Sequence, residues 1–209
     1  MRYGTKIIGM ILVCVCSYAR ADIEHDIMSL SGNPRAAIAY LEPIAQNGDA
    51  NAAYWLARTY HFPSYSAEAM DHPIDESEAK AQAIRWYEFA AQQGHVEAQF
   101  ELAVYFDGSA GIKNNQTAAW KAAWFEKAAL QGHEQAQRNI AWRYHFGDEG
   151  FPSDKAKAFR WYMELAKNND LGAQQMLGLF YQKGWGVPAD EDKARFWYRK
   201  AALLVKEVL

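Results

Sequence analysis

Cysteine is nearly missing from this chain, and what there is stands in one place. Both cysteines, Cys14 and Cys16, fall within the first 21 of 209 residues. The rest of the chain has no thiol for a disulfide, a thiolate metal ligand or a cysteine nucleophile. No apolar run suits a membrane span: residues 7–16 give ten apolar residues, too few to cross a bilayer. Basic charge is not in excess either. The formal net charge is −3, and residues 1–21 hold three of the 22 basic residues and none of the 25 acidic ones, so without them it becomes −6. Such a chain is a poor ligand for nucleic acid or an anionic membrane surface. There is no alternating strand pattern, no low-complexity segment and no His-Glu-x-x-His string.

The N-terminus reads as an address. Arg2 and Lys6 give it a positive start, the apolar run follows, and Ala19-Arg20-Ala21 has the small-x-small form of a signal-peptidase site. We therefore expect cleavage after Ala21 and export to a bacterial periplasm. Residues 22–33 read as a short leader. The remaining chain is one domain's worth, and 50% apolar content is enough to build a core.

From there on a fixed order of residues recurs. A helix opens on alanine with an apolar residue four later: Ala52/Leu56, Ala98/Leu102, Ala136/Ile140 and Ala173/Leu177. Four residues further comes an aromatic: Tyr60, Phe106, Tyr144 and Tyr181. A second helix carries a bulky pair, Trp86-Tyr87, Trp124-Phe125, Trp161-Tyr162 or Trp197-Tyr198, and closes on small residues. Gly48, Gly94, Gly132 or Asn169 then stands four residues before the next alanine. Glycine and asparagine tolerate the left-handed backbone that ends a helix. The alanines are 46, 38 and 37 residues apart, a period that marks helix pairs stacked in an α-solenoid. Alanine lets helices approach closely, and the bulky pair fills the space between layers. The periodicity predicts helices at about 34–47, 50–61, 77–93, 96–107, 117–131, 134–146, 155–168, 171–183 and 191–207, with an insertion in the first pair around residues 61–75. Ser77, Thr117, Asp154 and Asp190 stand where N-cap oxygens are needed, and Pro43 is expected to kink the first helix.

On these residues the chain resembles a Sel-1-like repeat protein, a relative of the tetratricopeptide class, over roughly residues 34–209. The last repeat is the fullest match: Ala173, Leu177, Gly178, Tyr181, Gly184, Gly186, Val187, Asp190, Ala194, Trp197, Tyr198, Ala201 and Ala202 all fit. The resemblance implies an all-α, right-handed α-solenoid of about four helix-pair repeats, near 50–93, 96–131, 134–168 and 171–207, behind an N-terminal cap helix. It also implies a binding scaffold rather than an enzyme. Some small exported members act as immunity proteins against phospholipase effectors of type VI secretion, which is the sharper expectation. A cysteine-rich branch for which β-lactam binding has been proposed is not matched, because this chain lacks those cysteines. The competing class is a cell-wall or β-lactam-directed hydrolase of the envelope.

Catalytic and metal chemistry find little support. His95 and His133 occupy one equivalent repeat position, and His61 and His145 another. Equivalent residues lie about one repeat apart, roughly 10 Å, too far to share an ion. We expect structural or surface roles for them, with no metal and no cofactor. Ser77-Glu78-Ala79-Lys80 matches the S-x-x-K string of penicillin-recognising enzymes, but the Ser-Asp-Asn and Lys-Thr-Gly companions are absent. Asn115-Gln116-Thr117 is a formal glycosylation sequon.

The candidate binding surface follows from helix geometry. If positions 0, +4 and +8 from each alanine are buried, positions +2, +6 and +9 point the other way, at about 100° per residue. These are Tyr54, Arg58 and His61; Phe100, Val104 and Asp107; Arg138, Trp142 and His145; and Gln175, Leu179 and Gln182. In related solenoids the first helices line a concave groove, and aromatics with arginines resemble interface hot spots. We take Tyr54, Arg58, His61, Phe100, Asp107, Arg138, Trp142 and His145 as the partner-binding set, with +2 and +9 expected exposed. The expected partner is another protein, a secreted phospholipase effector in the sharper version. The apolar end, Leu203-Leu204-Val205-Lys206-Glu207-Val208-Leu209, is a second surface, for self-association or a partner.

Overall fold

In the computed structural model the described residues are 23–27, 29–30, 33–61, 75–105, 115–148 and 151–208. The expected signal segment (residues 1–21), residues 62–74 of the insertion expected around 61–75, and Asp107 lie outside them. The helices are α1 (Pro34–Gln46), α2 (Ala50–His61), α3 (Glu76–Gln92), α4 (Val96–Tyr105), α5 (Asn115–Leu130), α6 (Glu134–Phe146), α7 (Lys155–Lys167), α8 (Leu171–Lys183) and α9 (Glu191–Val208). The fold is all-α, an α-solenoid of helix pairs, as the period requires. No strand occurs among the described residues.

The chain divides into two compact units, Met1–Ala98 and Gln99–Leu209. In the first, α1 packs on α2 and α2 on α3. Its core is Leu41, Leu56, Trp86 and Tyr87, set among alanines that include Ala52 and Ala90. Residues 23–27 are helical ahead of α1, Ile23 is buried, and the Tyr40 hydroxyl donates to Asp26 Oδ2 at 2.5 Å. In the second unit α5, α6, α7, α8 and α9 each pack on the next. Phe125, Ile140, Tyr162, Leu177 and Phe180 fill its interior.

Each pair ends on the same turn. Gly48, Gly94 and Gly132 have φ of 101°, 88° and 90°, and Asn169 takes the place of glycine at φ 60°. The very next residue then caps the following helix: the alanine N–H is accepted by Asp49 Oδ1 (2.7 Å), His95 Nδ1 (3.2 Å), His133 Nδ1 (3.1 Å) and Asp170 Oδ1 (2.7 Å). Two of the six histidines are thus helix caps, satisfying a donor that the first turn leaves open.

Local expectations fare unevenly. Asp154 and Asp190 do cap α7 and α9. Ser77 does not cap α3. Asp75 does, its carboxylate accepting from the Ser77 and Glu78 N–H groups and from the Ser77 hydroxyl. Thr117 falls inside α5, which begins at Asn115. Asn33 caps α1, which runs on through Pro43 to Gln46. The bulky pairs also divide their labour. Tyr87 and Phe125 are fully buried and Tyr162 nearly so, whereas Trp161 and Trp197 are half-exposed. Trp161 therefore packs at the edge of the core rather than within it.

Candidate partner-binding faces

In the first unit α2 presents an aromatic and cationic cluster. Tyr54 is only 7% exposed, contrary to the expectation for +2. Its ring stacks on the His95 imidazole at 4.4 Å and 21°, and lies 6.1 Å from Tyr87. The reason is the capping turn: the residue that caps the next first helix lies over the +2 residue of the helix before. Arg58 sits above this layer, its guanidinium 5.1 Å from the Trp55 ring and 5.8 Å from Tyr54, with Nη1 donating to the Tyr54 hydroxyl at 3.5 Å. His61 is half-buried, its Nδ1 3.2 Å from the Tyr87 hydroxyl. Burial first, then the charges of Arg58 and Lys80, hold its pKa below the usual imidazole value.

The second unit repeats the device twice. Phe100, half-buried, stacks on His133 at 4.3 Å and 23°, matching Tyr54 on His95. One pair later both partners change together. Arg138 Nε donates to Asp170 Oδ2 at 2.6 Å, and its Nη2 donates to Glu134 at 3.1 Å. Arg138 is exposed, as expected, but its charge is already committed to two carboxylates. His145 is a second correction. It is 3% exposed, its ring held 4.3 Å from Phe146, 4.9 Å from Trp185 and 5.0 Å from Phe180. The glycine-bounded loop carrying Trp185 covers the +9 position, which a wheel drawn for one helix cannot show.

What α6 leaves open is a pair of rings. Trp142 is 53% and Phe146 58% exposed, with centroids 5.1 Å apart. Trp142 belongs to the predicted set. Phe146 does not, although it stands at i+4 from Trp142, where side chains on a helix meet. Val104, at the +6 position of α4, is exposed too, while Leu179 on α8 is half-buried and Gln175 and Gln182 are exposed. The α9 face exposes Phe196, Leu203 and Val205.

Among the described residues no group of three or more His, Cys, Asp or Glu could hold a metal ion, and no helix is long and apolar enough to cross a membrane.

The structure defines the class as an α-solenoid of short helix pairs with an exposed first-helix face. The Sel1 repeat family model matches residues 24–49, 73–95, 96–133, 134–170 and 172–204, and the chain belongs to that family. The first match takes in the helical residues ahead of α1. Two solved structures are similar. One is c5321, a protective antigen of uropathogenic Escherichia coli strains with an SLR fold, at 32% identity and a TM-score of 0.61, covering 80% of this chain and 33% of that one. The other is a Sel1 repeat protein from Oxalobacter formigenes, at 29% identity and a TM-score of 0.60, covering 80% and 45%. The chain thus spans a third to under half the length of these relatives. No curated protein matches it.

Proposed function

We propose that this protein is an exported, non-enzymatic scaffold that holds another protein through the exposed face of α6. The observation that carries this reading is the Trp142–Phe146 pair. Two large rings more than half in water leave apolar surface that a partner would bury, and rigid aromatics lose little entropy on binding. Membership of a repeat family built around extended binding surfaces supports the same class. Export to the periplasm with cleavage after Ala21 is part of the proposal, supported by the charge, apolar run and small-x-small site of residues 1–21. The finer proposal is that the partner is a secreted phospholipase effector and the protein its immunity factor, which suits a small exported scaffold.

The test places a photo-crosslinking residue at position 142 and, as control, at Leu130, which is exposed on α5. A crosslink from position 142 alone, in an osmotic-shock fraction whose protein begins at Asp22, supports the proposal. Equal labelling at both positions, or protein retained in the cytoplasm, contradicts it. Cells exporting the effector should survive only when the protein is co-exported, and should die when it carries Trp142→Ala and Phe146→Ala.

A further inference from the structure

A second feature lies on the other helices of the first unit. A cavity of about 380 Å³ opens between the last turn of α1 and the second half of α3. Gln46 borders it from α1, and Arg85, Trp86, Glu88, Phe89 and Gln92 from α3. Arg85 and Glu88 are three residues apart, so they share a face of the helix with Cβ atoms about 5–6 Å apart. Yet they form no ion pair with one another or with any other described residue. Arg85 lies over the Trp86 ring, Cζ 5.5 Å from its centroid, and Trp86 meets Phe89 edge-to-face at 6.0 Å. Glu88 is half-buried, and that burial alone raises its carboxyl pKa above the usual value. It is a carboxylate drawn partly out of water with no cation set against it, beside aromatic rings that favour one.

The two charges select the ligand. A simple cation would be drawn to Glu88 and repelled by Arg85, and a simple anion the reverse. A molecule with both signs, spaced like the two side chains, satisfies both. Two extended residues span about 7 Å, and the cavity is within the usual size of small-ligand sites, about 300–1,000 Å³. We propose that this cavity binds a short peptide by its two free ends, its ammonium against Glu88 and its carboxylate against Arg85. The amides of Gln46 and Gln92 serve the peptide bond between them.

The experiment titrates the mature chain with Ala-Ala and Ala-Phe, each also as the N-acetyl and the C-amide form, followed by amide chemical shifts. At least one free dipeptide should bind, with shifts confined to α1 and α3, and blocking either end should weaken it tenfold or more. Glu88→Gln should abolish discrimination against the N-acetyl form only, and Arg85→Met that against the amide only. Both substitutions lie at the cavity rim, so helical dichroism should be unchanged. The proposal is overturned if neither dipeptide binds, if free and blocked forms bind alike, or if the folded variants keep both discriminations.

Discussion

Arg138 and Asp170 are joined across consecutive repeats. Arg138 Nε donates to one oxygen of Asp170 at 2.6 Å while the other oxygen caps α8 by accepting from the Ala173 N–H at 2.7 Å. The same place holds Tyr54 on His95 in the first unit and Phe100 on His133 in the second. The caps of α4, α6 and α8 are thus also contacts for the first helix one pair earlier. Arg138→Glu would set a third carboxylate beside Asp170 and Glu134. We expect a loss of about 1–2 kcal/mol in urea unfolding, from a broken charged bond plus repulsion. A stability equal to the parent would show that the pair contributes nothing.

Gly186 marks a place where the backbone itself is the obstacle. It has φ 68°, and a Cβ there would come within 2.5 Å of the Lys155 and Ala156 backbone. Gly186→Ala should therefore lower thermal stability by more than the Gly178→Ala change, where the added Cβ meets the Tyr198 ring, a side chain that can swing away. The opposite order, by calorimetry, would show that the loop yields more easily than the ring.

Gln174 is fully buried, and neither its Oε1 nor its Nε2 has a hydrogen-bond partner among the described residues. Its counterpart Gln137 donates from Nε2 to the Ala129 carbonyl at 3.0 Å. Gln174→Met removes an unsatisfied amide at similar volume, so it should be neutral or stabilising by about 1 kcal/mol. Gln137→Met should cost stability. A large loss from Gln174→Met would reveal a buried water on that amide.

The imidazole of His145 is sealed by Phe146, Phe180 and Trp185, and its pKa is lowered by that burial and then by the Lys155 charge. Well above pH 6.5 the folded and unfolded forms are both neutral and the group contributes nothing to pH dependence. As pH falls below about 6.5 the unfolded chain takes up a proton that the folded one resists, so stability drops until the folded pKa is passed. His61 acts in the same direction. His145→Phe should therefore shrink the fall in melting temperature between pH 7.5 and pH 5. An unchanged fall would assign the effect elsewhere.

These cases show where sequence reading reaches and where it stops. The turns at Gly132 and Asn169, the alanine seams and the helix spans were legible because each depends on residues near in sequence. The same periodicity puts Tyr54 and His145 on the open side of their helices, yet both are buried. What covers them, His95 for one and the Trp185 loop for the other, comes from the next repeat, and a single helix carries no record of it. Phe146 was legible in principle, as the residue at i+4 from Trp142 on the same open face.

The Trp142–Phe146 pair gives the most direct test of the account. Measured against the partner crosslinked at position 142, the variant carrying Trp142→Ala and Phe146→Ala should lose at least thirtyfold in affinity, about 2 kcal/mol, while its unfolding free energy stays within about 0.5 kcal/mol of the parent. Unchanged affinity in a stably folded variant would contradict the claim that this face holds the partner.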